Sequence, residues 1–472
     1  MAAPAAIDAN TRPAASEDVV SLHILVSSMF LGAAGVLYTI SLIAVIFPTV
    51  LPTALSYGRV RPAAMALAMI GWLVISFTGA AYYVLPRLTG AKLWNPAIAR
   101  LGLLGTAGVA IAGVIVPIAG LGDGGEPLSL PWWLDMALVA VTLIPLVISV
   151  QTVRARTEPI SYVTMWFVLA GVATLPLLAL AAAIPTASSL GRVLQGLNFS
   201  AGFTTLWVTG MGVGLAYYTV VKITDQPLAN RQLAKAGFWS LAFAASWAGP
   251  LQVVFGPTPD WLDAVAAVLT LALPVAAAAN AIAIGTTVAP AWSTFGDHPS
   301  IKATMAGLAM SMVVALATAF AGFRTAASVV GFTSYWEGVT LAAIFGVGGL
   351  LVAGWTHQAL PVVSGRMPAS TIRAAQHVRL TLWGVGSAAL LLMFGGIITG
   401  LGWAGGAFQG TAATGEGWAT LSGTGALMIG LSLIGVLIML LGQLAFILSV
   451  LSTISSGRAG VQEVLVTRGE GA

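Results

Sequence analysis

The chain has 472 residues, 58% of them apolar and only 7% charged, with a formal net charge of +4 and no cysteine. A soluble domain carries about 25% charged residues, so this composition excludes one. Long apolar runs make the chain an all-α integral membrane protein, and the missing cysteines exclude disulfides, thiolate metal sites, iron–sulfur clusters and covalently attached c-type haem.

Residues 1–19 are polar and rich in alanine and proline, with Asp8, Arg12, Glu17 and Asp18, and lack the basic and apolar regions of a cleaved signal. They read as a disordered N-terminal tail. Twelve apolar segments follow, at 20–47, 62–86, 97–121, 132–153, 160–185, 199–222, 236–256, 262–288, 302–323, 337–361, 378–403 and 424–455. Residues 20–455 thus form one transmembrane domain, and 456–472 a C-terminal tail. An even number of crossings puts both termini on one side. That side collects Arg12, Arg87, Lys92, Arg100, Arg154, Arg156, Lys222, Arg231, Lys235, Lys302, Arg366, Arg373, Arg379, Arg458 and Arg468; only Arg59, Arg61, Arg192 and Arg324 lie opposite. Lys and Arg accumulate in cytoplasmic loops, so the termini are expected in the cytoplasm. Asp123, Glu126, Asp260, Asp263, Glu337 and Glu416 fall on the outer side. The positive charge is therefore a topology signal, and nothing in it suits a nucleic acid.

Every Lys, Arg, Asp and Glu falls at or near a helix end, which argues against carriers and pumps, where buried charge does the work. The polar residues at depth are Thr204, Thr205, Gln252, Asn280 and Gln443, and interhelical hydrogen bonds are their expected role. His23, His298, His357 and His377 show no two imidazoles on one helical face at metal-site spacing. Stretches such as Gly346 to Gly354 read as close helix packing, not phosphate loops. The seventh segment contains SWAGPLQVVFGPTPDW, Ser246 to Trp261, in which Pro250 is expected to kink the helix and Gln252 to find a partner on a neighbouring helix or a buried water.

Several stretches taken together resemble one family. YGRVRPAAMALAMIGW (Tyr57 to Trp72) with YYVLPRLTG from Tyr82 is similar to the second helix of the catalytic subunit I of haem–copper cytochrome c oxidases, closest to the cbb-type branch. GLAYYTVVKITDQPLANRQLAKAGFW (Gly214 to Trp239) resembles that family's junction of helices six and seven, SWAGPLQVVFGPTPDW its seventh helix, and LPVVSGR (Leu360 to Arg366) the exit of its tenth. The resemblance implies a twelve-transmembrane-helix bundle of the haem–copper oxidase subunit I type.

In that family six histidines bind two haems and one copper. Aligned on the flanking motifs, the helix-two ligand falls on Ala64, the helix-six ligand on Ala201, the helix-seven pair on Leu251 and Gln252, and the helix-ten pair on Val339 and Leu341. The family's helix-seven tyrosine falls near Ala245 and its helix-nine glutamate near Ala317. The resemblance thus implies the scaffold without its metal ligands. It suggests a non-catalytic subunit, a scaffold or anchor in a respiratory or other redox complex, with a cytochrome c or copper subunit on the outer face near Trp132, Trp133, Asp260 and Trp261. No cofactor is expected. The expected location is the bacterial inner membrane. Two alternatives stand: haem held by unusual ligands among Met65, Met211, His357 and His377, or a quinone, lipid or other apolar molecule bound in the former haem space. Pro250 and Asn280 are expected to be structural.

Overall fold

A computed structural model of the chain describes residues 14–186, 188–404 and 423–456, and these are helical, without extended strands. Among the described residues eleven helices are long and apolar enough to cross a membrane, and a shorter one stands seventh in order. They are α1 (Ala14–Ile46), α2 (Tyr57–Thr89), α3 (Pro96–Ile118), α4 (Trp132–Arg154), α5 (Val163–Ala183), α6 (Ser189–Thr224), α7 (Arg231–Ala245), α8 (Asp260–Phe295), α9 (Pro299–Gly322), α10 (Ser334–Ser364), α11 (Thr371–Ala404) and α12 (Gly423–Ser456). The protein is thus a multi-span membrane protein. Arg12, Glu416, Arg458 and Arg468 lie outside the described residues.

Caps mark where the apolar runs turn back. Asn95 and Asn230 accept hydrogen bonds from Ile98 N and Leu233 N at the heads of α3 and α7, and Gly90 and Gly365 close α2 and α10 in the left-handed conformation that glycine adopts without strain. The helix α1 begins at Ala14, not at residue 20. Its first turns are anchored, because Glu17 pairs with Arg87 at 3.5 Å, Asp18 approaches Arg100 at 3.9 Å, and Val19 is fully buried. Acidic side chains also suit a helix N-terminus.

The ion pairs respect the two-sided division of charge. Arg61 pairs with Glu126 and Glu337, and Arg192 with Asp123, all at the end away from the termini, here the far end. Arg87, Arg100 and Lys302 pair with Glu17, Asp18 and Asp297 at the terminal end.

The seventh segment departs from expectation. Pro250 does not kink a continuous helix; α7 has already ended at Ala245, and Gly249–Val253 form a 3-10 turn. Fifteen residues reach about 22 Å, short of a hydrocarbon core of about 30 Å. Proline tolerates the first positions of such a turn because its missing N–H is not needed there.

Candidate functional site

The central helices are α2 and α10, each 94% buried over its most apolar stretch, against 39–56% for most of the others. These two and α6 share a rare backbone feature. Each contains a π-helical stretch, at Ala66–Val74, Ala342–Gly348 and Gly202–Val208. The stretches begin two residues after Ala64, directly after Leu341 and three residues after Val339, and directly after Ala201. The π-helical stretches of α6 and α2 each pack on that of α10. A π turn widens a helix by a residue, re-aims the side chains beside it and recurs at functional sites.

Aromatic rings fill the layer between them. Phe345 of α10 stacks on Trp72 of α2 at 5.6 Å and 21°, with Tyr38 of α1 at 5.5 Å from the same phenyl ring. Trp207 of α6 lies edge-on to Phe77 at 5.3 Å and against Phe203 at 4.7 Å, and its Nε1 donates to the Gly171 carbonyl of α5. Gly348 brings the three helices together: a Cβ there would stand 2.9 Å from Leu73 of α2 and 3.3 Å from Val208 of α6. A side chain there would force Leu73 and Val208 to shift.

Ala64, Ala201, Leu251, Val339 and Leu341 are all buried, whereas Gln252 is partly exposed. The Gln252 amide has no hydrogen-bond partner among the described residues. It lines a cavity of about 560 Å³ at the far end, with Glu126, Ser188, Arg192, Thr333 and Trp336. Its expected partner on a neighbouring helix is therefore replaced by an open cavity whose walls include the charged side chains Glu126 and Arg192. Beside it, Gly249 packs against Asn198 of α6 so closely that a Cβ would fall 2.7 Å from the Asn198 backbone.

The far-end cavity adjoins a charged cluster. Arg61 is almost buried and reaches Glu337 at 2.8 Å, while Tyr38 donates to the same carboxylate at 2.9 Å. Arg192 also stands 3.8 Å from Asp135. These contacts tie α1, α2, α4, α6 and α10 together at one end.

Elsewhere the polar residues at depth divide. Asn280 of α8 accepts from Tyr217 of α6 at 2.9 Å and donates to the Ala276 carbonyl, an interhelical bond of the expected kind. Thr204 and Thr205 instead bond to carbonyls of their own helix, and the Gln443 amide is buried without a partner among the described residues. Tyr335 donates to the carbonyl of Ala317 at 2.6 Å.

His357 and His377, which no single-helix spacing connects, meet across α10 and α11 with ring centroids 6.4 Å apart. No spacing within either helix marks that pairing, which exists only across the two. His298 stays in the loop before α9, where its Nδ1 accepts from Ser300 N and burial lowers its pKa below the usual imidazole range. Next to it, the hydrogen bond and charge of Lys302 hold the Asp297 carboxyl below its ordinary value. Met65 stands about eight residues from the far end of α2 and His357 about seven from the terminal end of α10, roughly 20 Å apart along the bundle. They do not form an axial pair.

Comparison with known proteins gives a consistent picture. The family described as Cytochrome C and Quinol oxidase polypeptide I matches residues 18–428. Cytochrome c oxidase subunit 1 of Rhodobacter capsulatus is 23% identical over 363 residues, covering 74% of this chain and 68% of that protein. The Cbb3-type cytochrome c oxidase subunit CcoN1 of Stutzerimonas stutzeri is 23% identical over 325 residues, 66% of this chain and 68% of its own length. Among solved structures, a heme-copper terminal oxidase dimer superposes with a TM-score of 0.74 at 12% identity, covering 94% of this chain and 85% of that one.

Proposed function

The chain belongs to the cytochrome c and quinol oxidase polypeptide I family, and we propose that it serves as a non-catalytic membrane subunit, a scaffold or anchor within a multi-subunit redox complex. The observation that carries this reading is the chemistry at the six aligned positions. Alanine, valine and leucine side chains have no lone pair to give a metal, and the single carboxamide of Gln252 is a poor neutral ligand beside an imidazole. The donor set does not fit haem or copper there. Phe345 stacked on Trp72, and Gly348 against Leu73 and Val208, favour a space filled by side chains over one that holds a porphyrin or a quinone.

A bundle keeps its outer surfaces after losing its chemistry, because partner contacts and ligand contacts use different residues. Trp132, Trp133 and Trp261 are exposed at the far end and suit either the membrane interface or a partner. In this reading the far end faces outward from a bacterial inner membrane, toward a cytochrome c or copper subunit, and both termini are cytoplasmic, which the bias of basic residues supports.

The test is gentle purification with identification of co-purifying chains, an absorption spectrum and an iron assay. The expected result is redox-active partners in the complex and, in the isolated chain, no Soret band and no stoichiometric iron. A Soret band or one iron per chain in the isolated polypeptide overturns the reading.

A further inference from the structure

At the terminal end of the bundle, away from the six aligned positions, the rings of His357 on α10 and His377 on α11 stand 6.4 Å apart with their planes at 68°. Phe446 of α12 packs against both, at 5.6 and 4.8 Å. The Nε2 atoms of both rings are buried and have no hydrogen-bond partner among the described residues. The His377 Nδ1–H donates to the Gly442 carbonyl at 2.8 Å, which fixes the tautomer and leaves the lone pair on Nε2. A backbone carbonyl orients metal-ligating imidazoles in the same way.

We infer that His357 and His377 form a two-coordinate site for a monovalent copper ion, held between their Nε2 atoms. Among the described residues no group of three or more His, Cys, Asp or Glu side chains gathers in ion-binding geometry, so no further imidazole, thiolate or carboxylate joins this pair. Zinc and other divalent ions take four ligands and carry a charge that two imidazoles do not offset. Cu(I) is singly charged, accepts imidazole, and is satisfied by two nitrogens in line. With metal–nitrogen bonds of about 2.0 Å and about 1.2 Å from nitrogen to ring centre, opposed imidazoles place their centroids about 6.4 Å apart. The observed centroid spacing is of that size, and in the copper-bound site the two Nε2 atoms face each other across it. His298 uses its Nδ1 as the cap of α9, and among the described residues it does not gather with His357 and His377 into a group of three donors.

The test uses the full chain in mild detergent, without oxygen, titrated with Cu(I) against the chromophoric chelator bicinchoninate. One Cu(I) per chain is expected, with a two-nitrogen shell by X-ray absorption. His357→Ala and His377→Ala should each weaken binding at least 100-fold, while His23→Ala leaves it unchanged. The inference is overturned by a wild-type stoichiometry near zero, by unaltered affinity in both variants, or by a shell of three or more ligands. Where a variant does not fold, the wild-type stoichiometry and shell decide. Copper here is independent of iron and haem content, so this inference and the scaffold reading fail separately.

Discussion

The segments around α7 and α10 carry corresponding burdens, two aligned positions each, and resolve them in opposite ways. The helix α10 runs unbroken from Ser334 to Ser364 and is buried on every side. Its π-helical stretch turns Phe345 onto Trp72, and Val339 and Leu341 sit in hydrocarbon. The helix α7 stops at Ala245; Leu251 is buried in the turn that follows, and Gln252 faces the far-end cavity. A helix enclosed by others must satisfy its backbone internally and fill space with apolar groups. Irregular backbone is tolerated where it is covered by protein or lines a water-accessible cavity, and the turn after α7 has both, with Leu251 buried and Gln252 at the far-end cavity.

If α10 depends on packing, removing its central ring should do the greatest damage. Phe345→Ala is expected to destabilise the chain by about 4 kcal/mol, the usual cost of a phenyl-sized void. Denaturant unfolding of the purified chain in detergent measures it, and a loss below about 1 kcal/mol would mean that the ring fills no essential space. Next comes the head of the same helix. Glu337→Ala leaves Arg61 largely buried with only Glu126 as its carboxylate partner, at a cost of about 3 kcal/mol. Replacing Arg61 by Met in the same chain should recover much of that loss. The hydroxyl of Tyr217 is a smaller matter: Tyr217→Phe removes its bond to Asn280 and should cost about 1 kcal/mol in the same assay.

Much of this fold was legible because it rests on composition. Apolar runs separated by charge place eleven membrane-spanning helices and the start of the shorter seventh, and the charge division anticipates which ends meet, as Arg61 with Glu126 and Glu337 illustrates. Less legible were features that depend on neighbours. Pro250 marks a break correctly, but whether the break is a kink or an end depends on the cavity beside it. The π-helical stretches leave no mark in residue type, since Ala66–Val74 is as apolar as any ordinary helix. Glu17 and Asp18 resemble a tail in isolation, but Arg87 and Arg100, some seventy and eighty residues later, hold them in α1. His357 and His377 belong together only once α10 and α11 are packed.

The smallest expected effect sharpens the contrast most, because it concerns a residue that the sequence alone makes look costly. An unpaired amide in hydrocarbon is expensive, and Gln443 shows that the chain tolerates one buried carboxamide without a partner. Gln252 is different: it is partly exposed, beside a cavity whose walls also carry Glu126, Arg192 and Ser188. Water in such a space meets the amide's hydrogen-bonding needs, so Gln252→Leu exchanges a hydrated group for an apolar one at little cost, within about 0.5 kcal/mol. Unfolding in detergent checks the value. A loss above about 2 kcal/mol would mean that the amide has a fixed partner, and the turn after α7 would then be as tightly specified as α10.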